Sequence, residues 1–231
     1  MNEFIEVSVP DGRFHAYVAY PAVTPAPSVV VLQEIFGINA DMRATCQELA
    51  AQGYVAVCPD LFWRMEPGVV MTDRTEPEWA KGFSLYTAYD LDKGVDDIVA
   101  TIAAARALPQ SNDRSALMGF CLGGLMTWLT TAALEVDAAV AYYPGNADKH
   151  LEVTPRIASP MLVHLAEEDE YISKDAQKAI AEALSPLPDV NVHRYPGCMH
   201  AFARHSGIHF NAEAASLANG RTAKFLADHL H

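Results

Sequence analysis

Residues 115–124 read SALMGFCLGG, and the organisation of the chain follows outward from them. Ser115 to Phe120 is a short apolar run of the kind that fills a buried strand. From Gly123 to Leu134 the composition turns helical. Between the two, Gly119, Cys121 and Gly123 stand at the spacing G-x-nucleophile-x-G of a strand-turn-helix elbow, with a thiol where the commoner form has serine. So sharp a turn needs small residues on either side of the nucleophile, because side chains there would meet the neighbouring strand and helix. The helix N-terminus that follows favours negative charge on the sulfur. The competing reading is a buried structural cysteine, which is the one that suits Cys58 at the end of another apolar run.

On the N-terminal side, Glu3 to Pro10 and Arg13 to Tyr20 alternate as strands around a turn at Asp11-Gly12. Ser28 to Leu32 and Tyr54 to Cys58 are buried-strand runs. They flank a helix from Asn39 to Gln52, with Asn39 or Asp41 near its N-cap and Gly53 in the C-cap place. Asp60 to Pro77 is rich in turn residues and aromatics and predicts a surface excursion. Helical pattern runs from about Trp79 through Asp96 to Leu108, with a break at Gly94. Beyond the elbow come strands at Ala138 to Tyr143, Pro160 to Leu165 and Asn191 to Tyr195, and helices at Ser173 to Leu184 and Ala212 to Leu230. Strands alternating with helices after an opening hairpin predict one three-layer α/β domain over residues 1–231, with a mostly parallel sheet and an antiparallel N-terminal hairpin.

Composition narrows the function classes. Hydrophobic residues make up 51% and charged residues 19% of the 231, as in a globular chain. With 16 basic against 29 acidic residues the net charge is -13, which opposes nucleic acid or an anionic membrane as partner. No apolar run is long enough to span a bilayer. The opening residues lack a signal-peptide pattern, and Cys46, Cys58, Cys121 and Cys198 have neither C-x-x-C spacing nor disulfide density, so free thiols in a reducing cytoplasm are expected.

A thiol nucleophile needs a base and an acid to orient it, and in this architecture they follow in the order nucleophile, acid, histidine, at carboxyl ends of strands. Asp169, after the strand Pro160 to Leu165, and His200, after Asn191 to Tyr195, supply that order. Glu168 is the rival acid. His164 lies within a strand and reads as packed. His205 and His209 with His200 form only a loose cluster with no further ligand spaced to complete zinc coordination, so no metal and no cofactor is expected.

With these residues in place the sequence resembles the dienelactone hydrolase family, a cysteine-dependent branch of the α/β-hydrolases. The likeness rests on QEIFGINADMR from Gln33, GYVAVCPDLF from Gly53, GFCLGG from Gly119, AYYPG from Ala141 and GCMHAFAR from Gly197. It implies a Cys121, His200 and Asp169 triad acting on the lactone of a dienelactone in chlorocatechol-type degradation, in a protein taken to be a monomer. It also implies that Glu34 contacts the resting thiol and moves when substrate binds, which is physically sensible because a carboxylate beside sulfur disfavours thiolate. Backbone amides of Leu122 and Ile35 would form the oxyanion hole. Arg204 matches a family arginine that pairs with the substrate carboxylate, an exposed surface ion pair being the other reading.

One position departs from that pattern. Where the family has a second carboxylate-binding arginine, this chain has Trp79, and Arg74 or Lys81 would have to substitute from a shifted loop. Phe36, Tyr86 and Tyr142 are the other expected pocket walls. The departure keeps open a broader carboxylesterase acting on small esters. A thiol-redox protein pairing Cys121 with Cys198 is the reading of a different class.

Overall fold

A computed structural model describes residues 2–231, the side chain of Asn2 excepted. Among these residues eight strands form one sheet in the order β1-β2-β4-β3-β5-β6-β7-β8. The strands are β1 (Asn2–Val9), β2 (Gly12–Ala19), β3 (Ala26–Leu32), β4 (Val55–Pro59), β5 (Ser111–Phe120), β6 (Ala138–Tyr142), β7 (Met161–Ala166) and β8 (Val190–Tyr195). Pairing is antiparallel for β1 with β2 and β2 with β4, and parallel from β4 through β8. In the hairpin Val9 pairs with Gly12, so the two turn residues are Pro10 and Asp11, one position earlier than expected.

The central parallel strands are buried along their whole length in β3, β4, β6 and β7. Runs such as Val29-Val30-Val31 suit that place because β-branched side chains pack both faces of a sheet covered by helices. The helices are α1 (Ala40–Ala51), α2 (Glu76–Ala88), α3 (Leu91–Arg106), α4 (Leu122–Thr131), α5 (Lys174–Leu184) and α6 (Ala212–Leu230). The helices α3 and α4 pack together against β5, while α1 and α6 border a shared cleft against the same sheet. Short 3₁₀ turns at Ala147–Lys149 and Leu151–Arg156 follow β6; the sequence did not announce them.

Two boundaries differ from the sequence reading, and each has a local cause. The helical region breaks at Tyr89-Asp90, where the Asp90 side chain caps α3 by accepting from the Lys93 amide at 3.0 Å, and not at Gly94. Gly94 lies inside α3 because the Tyr89 ring occupies the place of its missing side chain: a Cβ there would sit 2.4 Å from the tyrosine oxygen. The second helix begins at Glu76, earlier than Trp79, with Thr75 as N-cap and Pro77 in its first turn. At α1, Asn39 is the cap, accepting from the Met42 amide at 3.1 Å.

The excursion between β4 and α2 is fixed at both ends of its course. Arg64 donates to Asp97 and Asp11. Farther on, Met71 N donates to Phe36 O at 2.9 Å and Asn39 Nδ2 to Met71 O at 3.1 Å. This stitches the excursion to the loop after β3, beside the elbow.

Candidate active site

Cys121 stands between β5 and α4 with φ 54 and ψ -111, a conformation that costs a non-glycine residue on the order of 1–3 kcal/mol. The surroundings hold it there: the Cys121 amide donates to Tyr142 O at 3.1 Å and the Gly123 amide to Gln33 O at 3.0 Å. Space is as limiting as backbone angle. A Cβ on Gly119 would lie 2.0 Å from Gly123 O, and one on Gly123 would lie 2.2 Å from Leu32 O. Cys121 is only partly buried and sits at the N-terminus of α4.

His200 and Asp169 come to the same cavity edge from β8 and β7. His200 Nδ1 lies 2.8 Å from Asp169 Oδ2, while Asp169 Oδ1 accepts from the Tyr171 and Ile172 amides at 2.9 and 3.1 Å. With both carboxylate oxygens engaged, the aspartate fixes one tautomer and orientation of the ring. Glu168 instead reaches outward to Lys174 at 2.8 Å. Glu170, on the other side of Asp169, accepts from the His200 amide at 3.2 Å, a contact the sequence gave no signal for. Nε2 of His200 is buried without a hydrogen-bond partner, so no bond of good geometry has closed to Cys121. Burial works against a charged ring, but the nearby Cys121 sulfur and the Asp169 carboxylate overcome it and push His200 up to about 10.

The cavity of about 600 Å³, counting its open mouth, is lined by Cys121 and His200 together with Glu34, Arg204 and a set of apolar walls. Ile35, Phe36, Trp79 and Tyr86 are among those walls. Tyr142 is not, which corrects the sequence expectation. Its side chain points to the other face of the sheet, stacked on Phe120 and bonded through its hydroxyl to Asn219 and Thr222. Alternation along β6 explains this, since Tyr143, the next residue, turns the opposite way and packs its ring 4.9 Å from His200. Phe83 and Tyr171 also line the cavity. Phe83 was legible as the residue one turn beyond Trp79 on α2, whereas Tyr171 lay hidden in an acidic loop.

The amides of Leu122 and Ile35 donate to no protein acceptor among the described residues. Glu34 is buried, and its Oε2 accepts from Arg204 Nε at 2.6 Å while Oε1 has no partner. The carboxylate is thus bonded to Arg204 and not to the Cys121 thiol, contrary to the expected resting contact. Burial, aided by the charge of Asp41, raises its pKa against the opposing pull of Arg204 and His200. Arg204 is only 8% exposed, so it is no surface ion pair. Besides Glu34 it binds Asp73 Oδ2 through Nη1 at 2.6 Å and lies 5.1 Å from the Phe36 ring centre. Asp73 was missed because it stands in an irregular loop far upstream. Neither Arg74 nor Lys81 lines the cavity; Lys81 pairs with Glu66.

All four cysteines are free, and Cys198 is buried outside the cavity lining, with burial pushing its thiol up. That is the opposite of what thiol exchange with Cys121 requires. The histidines after His200 turn to separate partners: His209 Nδ1 lies 3.3 Å from Glu170, and His205 binds Asp41 at 2.7 Å and Glu48 at 2.9 Å. The Asp41 hydrogen bond, aided by Glu48 and opposed by burial, pushes His205 up to about 9. Because the folded value lies above the ordinary one near 6.5, this stabilisation is complete below about pH 6.5 and is lost as pH rises through about 9. Urea unfolding of wild type and His205→Gln is expected to show a stability gap at pH 6 that closes by pH 10; a gap constant across that range would contradict it.

A mostly parallel eight-stranded sheet with a strand-turn-helix elbow at the end of β5 defines an α/β-hydrolase. The chain belongs to the Dienelactone hydrolase family, whose profile matches residues 14–230, and it is accordingly a hydrolase of ester or lactone bonds. A relative from Azospirillum brasilense is 44% identical, the match covering 97% of this chain and 99% of the relative. The carboxymethylenebutenolidase of Pseudomonas putida is 40% identical over 98% of this chain and 97% of its own length. Among solved structures, one from Klebsiella pneumoniae subsp. pneumoniae MGH 78578 superposes with a TM-score of 0.85 at 26% identity, covering 98% of this chain and 99% of that one. Among the described residues no helix is long and apolar enough to cross a membrane.

Proposed function

We propose that the chain hydrolyses a small lactone or ester through a thioester on Cys121. The observation that carries this reading is the meeting of Cys121 and His200 in one largely apolar cavity, with the ring oriented by Asp169 and its Nε2 left free. His200 accepts the thiol proton, and the thiolate attacks the carbonyl carbon. The negative oxygen that results is met by the Leu122 and Ile35 amides, each such donor being worth about 3–4 kcal/mol in the transition state. Collapse expels the alkoxide or enolate, which takes the proton from His200. A water then attacks the thioester, giving its proton to His200, and the carboxylic acid leaves as the thiol is restored. Glu34, held by Arg204, leaves the thiol proton to the histidine.

The family and the relatives' name support a dienelactone-type butenolide of chlorocatechol breakdown as substrate. A small uncharged carboxylic ester is the second reading, favoured by Trp79 at a wall where the resemblance places an arginine. Quenching the enzyme in acid during turnover of a dienelactone or an aryl acetate, followed by peptide mass spectrometry, tests the mechanism common to both. The acyl mass is expected on the peptide containing Cys121. Turnover with acylation elsewhere, or with water attacking directly and no adduct at any quench time, would overturn it.

A further inference from the structure

Arg204, in the cavity lining, is neutralised before any ligand arrives. Arg204 Nε is bonded to Glu34 and Nη1 to Asp73, both at 2.6 Å. Asp73 does not itself line the cavity; it reaches Arg204 from a separate recess on the far side. Its carboxylate is 7% exposed and is anchored a second time, Oδ2 accepting from the Ile208 amide at 3.1 Å. The loop that carries it is tied to residues 36–39 by the Met71 and Asn39 hydrogen bonds and by a bridge between Gly37 and Val70. Gly207, at φ +138, leaves the room this ion pair occupies: a Cβ there would stand 2.6 Å from Asp73 Oδ2 and 3.3 Å from Arg204 Nη1.

The charge count decides what the cavity can take. With Glu34 ionised, two carboxylates face one guanidinium. With Glu34 protonated, Asp73 still balances Arg204. His200, the other basic group in the lining, is itself paired with Asp169 at 2.8 Å, so in neither state is a net positive charge left for an incoming anion, which would shed its hydration to meet carboxylates already in place. Among the described residues no other lysine or arginine lines the cavity. Most of the rest is aromatic, beside Ile35, Gly145 and Asn146: ring centres run from Phe36 to Trp79 at 5.0 Å, Trp79 to Phe83 at 5.6 Å, Phe83 to Tyr171 at 5.8 Å and Tyr171 to His200 at 5.0 Å. Asp73 holds this wall too, since its carbonyl accepts from Trp79 Nε1 at 2.8 Å. Such a surface favours flat apolar groups.

We infer that Asp73 is a specificity-determining residue: by neutralising Arg204 from outside the cavity, it reserves the site for uncharged, flat apolar lactones and esters over carboxylated ones. This rests on the cavity being the ester site proposed above, and of the two substrates named there it favours the uncharged ester over the dienelactone, which carries a carboxylate.

The test is equilibrium binding of a matched pair, phenylacetate and phenylacetamide, to wild type, Asp73→Asn and Asp73→Glu by calorimetry. Wild type is expected to bind the amide at least as tightly as the anion. In Asp73→Asn the ratio of the two Kd values should move about tenfold toward the anion, and Asp73→Glu should keep the wild-type ratio. A merely structural role for Asp73 would weaken both ligands alike and leave the ratio unmoved, which would overturn the inference. Wild type that prefers the carboxylate, or that binds neither ligand, overturns it without recourse to any variant. Because binding needs no turnover, a failure of the Cys121 mechanism would register separately, as activity surviving in Cys121→Ala while the binding ratio behaves as stated.

Discussion

Cys121→Ala is expected to lower kcat by at least about three orders of magnitude on every ester and lactone the enzyme turns over, with KM little changed. The size follows from what the sulfur supplies. Loss of the thiolate removes the covalent route, leaving only the oxyanion amides, the oriented histidine and a water that has no site of its own; three decades correspond to about 4 kcal/mol of barrier. The substrate walls, Phe36, Trp79, Phe83 and Tyr171, are untouched by the change, which is why KM should hold. A second readout distinguishes this from a damaged fold. Burial opposes a charged His200, and the sulfur is foremost among the groups that lift the ring against it. Without the sulfur, burial is opposed chiefly by Asp169, so the imidazole should titrate lower in the alanine variant, as followed by NMR of the ring protons. Turnover within tenfold of wild type, in a preparation shown by mass to be free of wild-type enzyme, would end the thioester mechanism.

The parallel core and the elbow were legible because their physics is local. Fully buried strands favour continuous apolar runs, and a nucleophile on a strained turn calls for small residues on both sides, so SALMGFCLGG carries its own structure. His200 and Asp169 were legible by order along the chain, since residues at the carboxyl ends of successive parallel strands converge at one edge of the sheet. What stayed hidden depends on contacts between segments far apart in sequence. Tyr142 looked like a wall because it ends a strand beside the site, but one residue of alternation decides the face. Glu34 and Arg204 were each recognisable, whereas their bond to one another spans 170 positions and that of Arg204 to Asp73 spans 131. Asp73 has no periodic neighbour to betray it. The charge state of the cavity, and with it the substrate class, is therefore a property of tertiary structure that no single motif encodes.

Gly123→Ala is expected to cost about 3–5 kcal/mol of stability in urea unfolding, if the variant folds at all. Alanine ordinarily improves a helix by about 1 kcal/mol over glycine, and Gly123 lies in the first turn of α4, so propensity alone predicts the opposite sign. Contact overrules it. The new Cβ would stand 2.2 Å from Leu32 O and 2.8 Å from Gln33 O, and these are backbone atoms of β3 and its exit, in the middle of the sheet, with no side chain able to rotate away. Relief requires α4 to back off from β3, which breaks the Gly123 amide bond to Gln33 O and carries away the Leu122 amide proposed above for the oxyanion. Gly220 supplies the control. It sits exposed within α6 with nothing inside 4 Å of a would-be Cβ, so Gly220→Ala should stabilise by roughly 0.5–1 kcal/mol. If the two variants changed stability in the same direction, close approach of helix and strand would not be the reason glycine stands at 123, and the strained turn that presents Cys121 would need another source of support.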